Sequence, residues 1–156
     1  MTLYLDTETT GLSAAGGHTI VEVAIVDEHG AVLIDTLVDP QRSIPYGASD
    51  IHGITDEMVR GQPTLVQLLP KIADIVGRQQ VVIYNAAFDR QFFPDRLRAA
   101  AGVSCAMTGF ADRLGGRWRK LDEAARHVGH RWTGVAHRAL SDALACRAVW
   151  RWLQGS

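Results

Sequence analysis

The sequence predicts an α/β fold with one mixed five-stranded sheet, three antiparallel strands followed by parallel crossovers, flanked by helices. Three observations predict it. The first forty residues carry three apolar, β-rich runs with a turn signal between the last two, whereas the remainder alternates short apolar runs with segments of helical period. The third observation is size and composition: 156 residues, 47% hydrophobic and 21% charged, fit one domain with room for a sizeable core. Residues 1–156 are therefore expected to form a single domain.

Strands are expected over Thr2–Asp6, Thr19–Val26 and Ala31–Val38, with Asp27-Glu28-His29-Gly30 turning the second into the third. A loop punctuated by Pro and Gly then leads to a helix over residues 64–76, in which Pro70 should kink the axis or loosen one turn. A fourth strand is expected at Val81–Tyr84, a helix at Asp89–Ala101 and a short strand at Ser104–Met107. Helices over Thr108–Leu114 and Lys120–Val128 precede the last one, Arg138–Leu153, whose Ala139, Ala143, Cys146, Trp150 and Leu153 share one stripe. Hairpin strands first and strand-helix crossovers afterwards require a mixed sheet covered on both faces. There is no repeat and no low-complexity segment.

No apolar run approaches membrane-spanning length and no signal-peptide pattern opens the chain, so a cytoplasmic location without membrane contact is expected. Cys105 and Cys146 fall in a strand-like and a helix-like apolar segment, where reduced core thiols are expected. The net charge of −1 excludes a strongly basic coat, yet its distribution is uneven: residues 1–78 hold 4 Lys/Arg against 11 Asp/Glu, and residues 79–156 hold 12 against 6. Either cation-binding carboxylates lie beside an arginine-rich face for an anionic polymer, or the halves interleave and cancel.

Five residues carry the chemistry. Asp6 and Glu8, two apart on a strand, point to one face with Cα atoms roughly 6.5 Å apart, while Leu3 and Leu5 point to the other. Two carboxylates so close resist ionising together, a cost that a bound cation removes; the plainer alternative is an exposed acidic strand end before Thr9-Thr10-Gly11. Asp89 closes Asn85-Ala86-Ala87-Phe88-Asp89, beyond the fourth strand, where open α/β sheets place ligand-binding residues; it also suits a helix N-terminus. Asp142 lies in the first turn of the final helix, and His137 follows the loop Thr133-Gly134-Val135-Ala136. Histidine is the residue type that suits a general base for an attacking water, although such a loop histidine is also a common surface residue. Four carboxylates and a histidine can together serve two divalent cations about 3.5–4 Å apart, the arrangement that clamps both oxygens of a phosphodiester undergoing displacement.

Asp6-x-Glu8, Asp89 within Asn85-Ala-Ala-Phe-Asp, and His137-x-x-x-x-Asp142 resemble the three signature segments of the DEDDh 3′-5′ exonucleases, the family of the bacterial DNA polymerase III proofreading subunit. Thr9-Thr10-Gly11-Leu12 and His52-Gly53-Ile54-Thr55 resemble that family's segments too, and the likeness runs from Leu5 to about Trp150. The histidine subclass is indicated, because its tyrosine counterpart needs Tyr where Arg138 stands. The resemblance implies a ribonuclease H-like fold and release of nucleoside monophosphates from a free 3′ end of single-stranded DNA or a 3′ overhang, with two Mg²⁺ or Mn²⁺. It further implies that Asp6 bridges both ions, Glu8 and Asp142 hold the first, Asp89 binds the second directly or through water, and His137 accepts the water's proton. Candidate substrate contacts are Thr9, Gly11, Leu12, Ile51, His52, Asn85 and Phe88, residues that also read as turn chemistry and packing. An RNA 3′-end exoribonuclease and a non-catalytic nucleic-acid-binding module are the alternatives.

Arg113-Leu-Gly-Gly-Arg117-Trp118-Arg119-Lys120 sets four cations around an aromatic, which suits phosphate contact with base stacking or a solvated loop whose Trp packs on the body. Trp132 offers the same choice, while Trp150 and Trp152 are expected in helix packing. His18 stands where many relatives carry an acid. The chain ends soon after its final helix, so a counterpart of the proofreading subunit's polymerase-docking extension is not expected and any partner protein is unidentified.

Overall fold

The computed structural model describes residues 1–156. Five strands, β1 (Thr2–Thr9), β2 (Ile20–Val26), β3 (Val32–Leu37), β4 (Gln80–Ile83) and β5 (Gly102–Cys105), form one sheet in the order β3-β2-β1-β4-β5. β1, β2 and β3 pair antiparallel, and β4 and β5 add parallel to β1. The chain leaves β1 towards one edge of the sheet and later returns on β4 to fill the other. That reversal opens a crevice between the carboxyl ends of β1 and β4, the place where such sheets bind ligands.

Both faces are covered, as the order of elements requires. Leu3 and Leu5 of β1 join Val23, Ile25, Val81 and Ile83 beneath helix α3 (Leu65–Val76), which contributes Leu68, Ile72 and Val76. On the opposite face Tyr4, Val26, Val82 and Tyr84 pack against α5 (Ala106–Arg113), α6 (Leu121–His127) and α7 (Ala139–Leu153). Trp150 and Trp152 of α7 pack against this second cluster, and Cys105 and Cys146 are free thiols. The turn joining β2 to β3 is set by Asp27, whose Oδ1 accepts the backbone N–H groups of His29 and Ala31 while Gly30 adopts φ +85°.

The elements depart from the sequence expectation in three places. The helix expected over Asp89–Ala101 is instead a short helix, α4 (Ala86–Arg90), followed by turns. Pro94 cannot donate to a helical ladder, Arg96 and Leu97 take left-handed φ of 53° and 61°, and Asp95 Oδ1 accepts the Leu97 N–H at 3.0 Å. The segment expected as loop holds two short helices, α1 (Tyr46–His52) and α2 (Asp56–Val59). Pro45 precedes α1 and Gly53 ends it at φ +73°, while the Thr55 hydroxyl caps α2. Finally, β1 runs three residues past Asp6. The helix expected over residues 64–76 is found as α3, with Pro70 inside it and a Thr64–Gln67 capping box at its start.

Candidate active site

Strand β1 carries Asp6 and Glu8 on the face covered by α7, because Tyr4 of that same alternate set packs there. α7 brings Asp142 in its first turn. One oxygen from each of Asp6, Glu8 and Asp142 lies within 4.8 Å of the others, close enough for all three to ligate one cation. Asp6 Oδ2 is buried and has no hydrogen-bond partner, an orphaned oxygen of the kind a cation satisfies.

Asp89 enters from α4, immediately after β4, and is held differently. Its Oδ1 accepts the Thr7 hydroxyl at 2.6 Å and the Thr7 N–H at 3.2 Å, so the side chain is fixed against β1. It stands apart from the tight trio, yet its charge ranks next to burial in raising the pKa of Asp6.

The electrostatics of the cluster follow from crowding in a dry place. Burial, then Asp89 and Asp142, push Asp6 well above the usual carboxylate range. Glu8 is raised to about 9 by burial and by Asp142 and Glu22. Asp89 is raised to about 7 by burial, although the two Thr7 hydrogen bonds oppose the rise. Asp142 reaches about 6, again mainly through burial, with the His137 N–H opposing. Such a group of acids ionises together only when positive charge is supplied, which is the signature of a divalent-cation site built from hard oxygen donors.

Glu22 explains how the α7 side is positioned. It lies directly across from Glu8 in the β1–β2 ladder, a juxtaposition of like charges that must be relieved. Arg138 relieves it: Nε reaches both Glu22 carboxylate oxygens at 3.1 Å and Nη2 reaches Oε2 at 2.6 Å. Glu22 Oε1 also accepts the Ala139 N–H at 2.8 Å, placing an anion at the N-terminus of α7. Glu22 is thus committed to the helix start, which leaves the Glu8 carboxyl for the centre. Between these anchors His137 is exposed, adopts φ +61°, and donates its backbone N–H to Asp142 Oδ1 at 3.2 Å. Gly134 permits this loop, since a Cβ there would meet the Ser141 hydroxyl at 2.5 Å.

Two clefts adjoin the acidic cluster. One, of about 330 Å³, is lined by Glu8 together with Thr9, Gly11, Leu12, Ile51, His52 and Phe88. All the candidate substrate residues but Asn85 therefore gather on one wall system. Leu12 is 80% and Ile51 61% exposed, free to meet a ligand. His52 is buried and fully engaged: its Nδ1 accepts the Ile54 N–H at 3.0 Å, so Nε2 carries the proton donated to Thr9 O at 3.1 Å. Burial lowers its pKa, in keeping with that neutral form. Gly11 lies against the His18 ring, 2.5 Å from where a Cβ would sit, and His18 Nδ1 bonds Thr10 Oγ1. The second cleft, of about 540 Å³, holds Asn85, His137 and Asp142 with Tyr84, Trp118 and Trp132.

Sequence reasoning did not single out Thr7, Glu22 or Arg138 as parts of the site. Glu22 alone left a trace, as the one charge in the otherwise apolar strand Ile-Val-Glu-Val-Ala-Ile-Val, where burial demands a partner.

Carboxylates gathered at the crevice of a mixed sheet, beside an exposed histidine and two open clefts, are a donor set suited to divalent-cation chemistry on a phosphodiester. The chain belongs to the exonuclease family of RNase T type, whose profile matches residues 3–149. It is 36% identical to an uncharacterized exonuclease of Escherichia phage 186 over 159 aligned residues, covering 90% of this chain and 81% of that protein. It is also 35% identical to the DNA polymerase III epsilon subunit of Escherichia coli K12 over 104 residues, 58% of this chain and 40% of that one. The chain thus spans less than half the length of that polymerase subunit. Exonuclease X, solved in complex with 5′ overhanging duplex DNA, superposes with a TM-score of 0.80 at 30% identity, covering 99% of this chain and 92% of the other. Exonuclease I shares the fold at a TM-score of 0.77 and 19% identity. The ribonuclease H-like architecture expected from the motifs is the one found, and the protein is an exonuclease. No helix is long and apolar enough to cross a membrane.

Proposed function

We propose that this exonuclease releases nucleoside 5′-monophosphates one at a time from a free 3′ end of DNA, single-stranded or overhanging, using two Mg²⁺ or Mn²⁺ ions. The observation that carries the metal reading is the trio of oxygens from Asp6, Glu8 and Asp142 within 4.8 Å, with Asp6 Oδ2 buried and unpaired at its heart. Asp6, Glu8 and Asp142 would hold the first ion, and Asp6 with Asp89 the second. When bound, such ions supply a nucleophilic water at neutral pH and offset charge on the departing 3′ oxygen.

The chain's own residues do the rest. Thr7 fixes Asp89 so that its carboxyl group stays close to Asp6. His137, exposed at the edge of the cluster and tied through its own N–H to Asp142, accepts the proton of the attacking water. Leu12, Ile51 and Phe88 would enclose the terminal sugar and base, with Thr9, Gly11 and His52 shaping the floor and Asn85 beside the scissile phosphate. The likeness to Exonuclease X with its DNA supports the choice of polymer.

Incubation of the protein with 3′-labelled and 5′-labelled single strands and Mg²⁺ tests the reading. The 3′ label should leave as mononucleotide at once, while the 5′-labelled strand shortens stepwise. A 5′ label released first, or an intact strand with a shifted mobility, would contradict it, and faster digestion of a matched RNA would reassign the polymer.

A further inference from the structure

The two clefts beside the acidic centre differ in charge in a way that orients the substrate. The cleft holding Leu12, Ile51 and Phe88 has no Lys or Arg in its wall. The cleft holding Asn85, His137 and Asp142 has Arg119 and Lys120, against a single non-catalytic acid, Asp122, and it presents Trp118 and Trp132. With the scissile phosphate at the metals, a terminal nucleotide extends to one side and carries no further phosphate. The remaining strand extends to the other and carries one phosphate per nucleotide.

We propose that the Trp118 cleft seats the single-stranded nucleotides immediately 5′ of the scissile phosphate, Trp118 stacking on a base and Arg119 and Lys120 meeting the backbone; this rests on the 3′-end exonuclease reading. Trp118 is 68% exposed and lines the cleft beside Arg119 and Lys120, so its indole is free to stack on a base. Two successive glycines, Gly115 and Gly116 at φ +91° and +92°, turn the chain just before it. Arg119 is held in place through its carbonyl, which accepts the Tyr84 hydroxyl, while its own Nε is buried without an acceptor. Arg113, by contrast, lies over the Trp152 ring at 5.4 Å and belongs to packing. The basic segment thus divides: Arg113 serves the core, Arg117 pairs with Glu123 at 3.9 Å on the surface, and Trp118, Arg119 and Lys120 line the cleft. Stacking of bases on aromatic side chains beside phosphate-binding cations is the way single strands are gripped without sequence preference.

The test compares wild type with Trp118→Ala, Trp118→Phe and Lys120→Gln on single strands from dinucleotide to decanucleotide and on the p-nitrophenyl ester of thymidine 5′-monophosphate, which has no 5′ strand. Binding of the decanucleotide is followed separately by anisotropy with Ca²⁺. Wild type should gain kcat/KM and affinity as the strand lengthens. Trp118→Ala should lose about tenfold of that gain, through KM, with turnover of the ester unchanged and most of the loss restored in Trp118→Phe. Lys120→Gln should flatten the salt dependence of binding by about 0.7 in the log-log slope. A Trp118→Ala variant whose length dependence and affinity match wild type would overturn the proposal. If wild type hydrolyses nothing, yet affinity still grows with length and falls in Trp118→Ala, the cleft stands and the proposed catalysis does not.

Discussion

The acidic centre is assembled from two regions that are held in unlike ways. Asp6 and Glu8 ride on β1, the central strand of the sheet, and Asp89 is pinned to the same strand by Thr7. Asp142 and His137 come from the start of α7, and the side chain that fixes this start to the sheet is Glu22, through Arg138 and the Ala139 N–H. The sheet half is set by a ladder of backbone bonds, the helix half by apolar packing of α7 and one polar anchor at its start. The difference separates substitutions that remove chemistry from those that only displace it.

The largest effects belong to the sheet half. Asp6→Asn should lower turnover by about 10³-fold or more, because the carboxylate shared by both expected ions is lost. In the helix half, His137→Ala should cost about 10²- to 10⁴-fold in kcat with KM little changed, as expected when a general base is removed. A wild-type rate for that variant would strip the histidine of its role and leave the helix half with Asp142 alone.

Arg138→Met sharpens the contrast, since it removes no proposed ligand. It leaves Glu22, whose side chain is 4% exposed, charged and without its cation, and should destabilise the fold by about 2–3 kcal/mol in urea titration. The 36% exposure of the Arg138 side chain sets the figure below that of a fully buried pair. Activity of the folded variant should fall as well, because His137 and Asp142 flank the broken anchor. Full activity would show that the loop holds its shape without Glu22.

The pH dependence of stability reports on the crowding where the two halves meet. Asp142, Asp89 and Glu8 are raised to about 6, 7 and 9, and Asp6 is raised too, so without metal the folded protein keeps protons that the unfolded chain releases near pH 4. Stability from these groups is therefore complete below that pH and declines as pH climbs through each folded value. Melting curves in EDTA should fall from acid to pH 9, and Mn²⁺ should raise Tm most at the alkaline end, where fewer protons must be displaced. The smallest effect is expected for Thr7→Val, which removes one hydroxyl from Asp89 and should cost about 1–2 kcal/mol, with a shift of Mn²⁺ affinity and little change in fold.

Much of this architecture is legible in the chain because its signals are local. Alternation along residues 2–9 fixes which face receives Asp6 and Glu8, and a helix from about Arg138 necessarily carries Asp142 in its first turn beside His137. Pro94 was the local warning against a long helix after Asp89, and Pro45, Gly53 and Thr55 marked the two short helices in the segment read as loop. What local pattern does not contain is partnership across distance. Thr7 meets Asp89 over 82 residues and Glu22 meets Arg138 over 116, and nothing in spacing or periodicity specifies either pair. The uneven charge of the two halves is resolved in the same way: an arginine of the second half neutralises a glutamate of the first, while Arg119 and Lys120 remain beside the acidic centre.

The central claim is that Asp6, Glu8, Asp89 and Asp142 form one cation-binding unit with His137 outside it. Calorimetric titration of Mn²⁺ into wild type, Asp6→Asn and His137→Ala tests it most directly. The account predicts binding with proton release in wild type, binding of similar affinity in His137→Ala, and loss of binding in Asp6→Asn. Undiminished binding in the folded Asp6→Asn protein would contradict it.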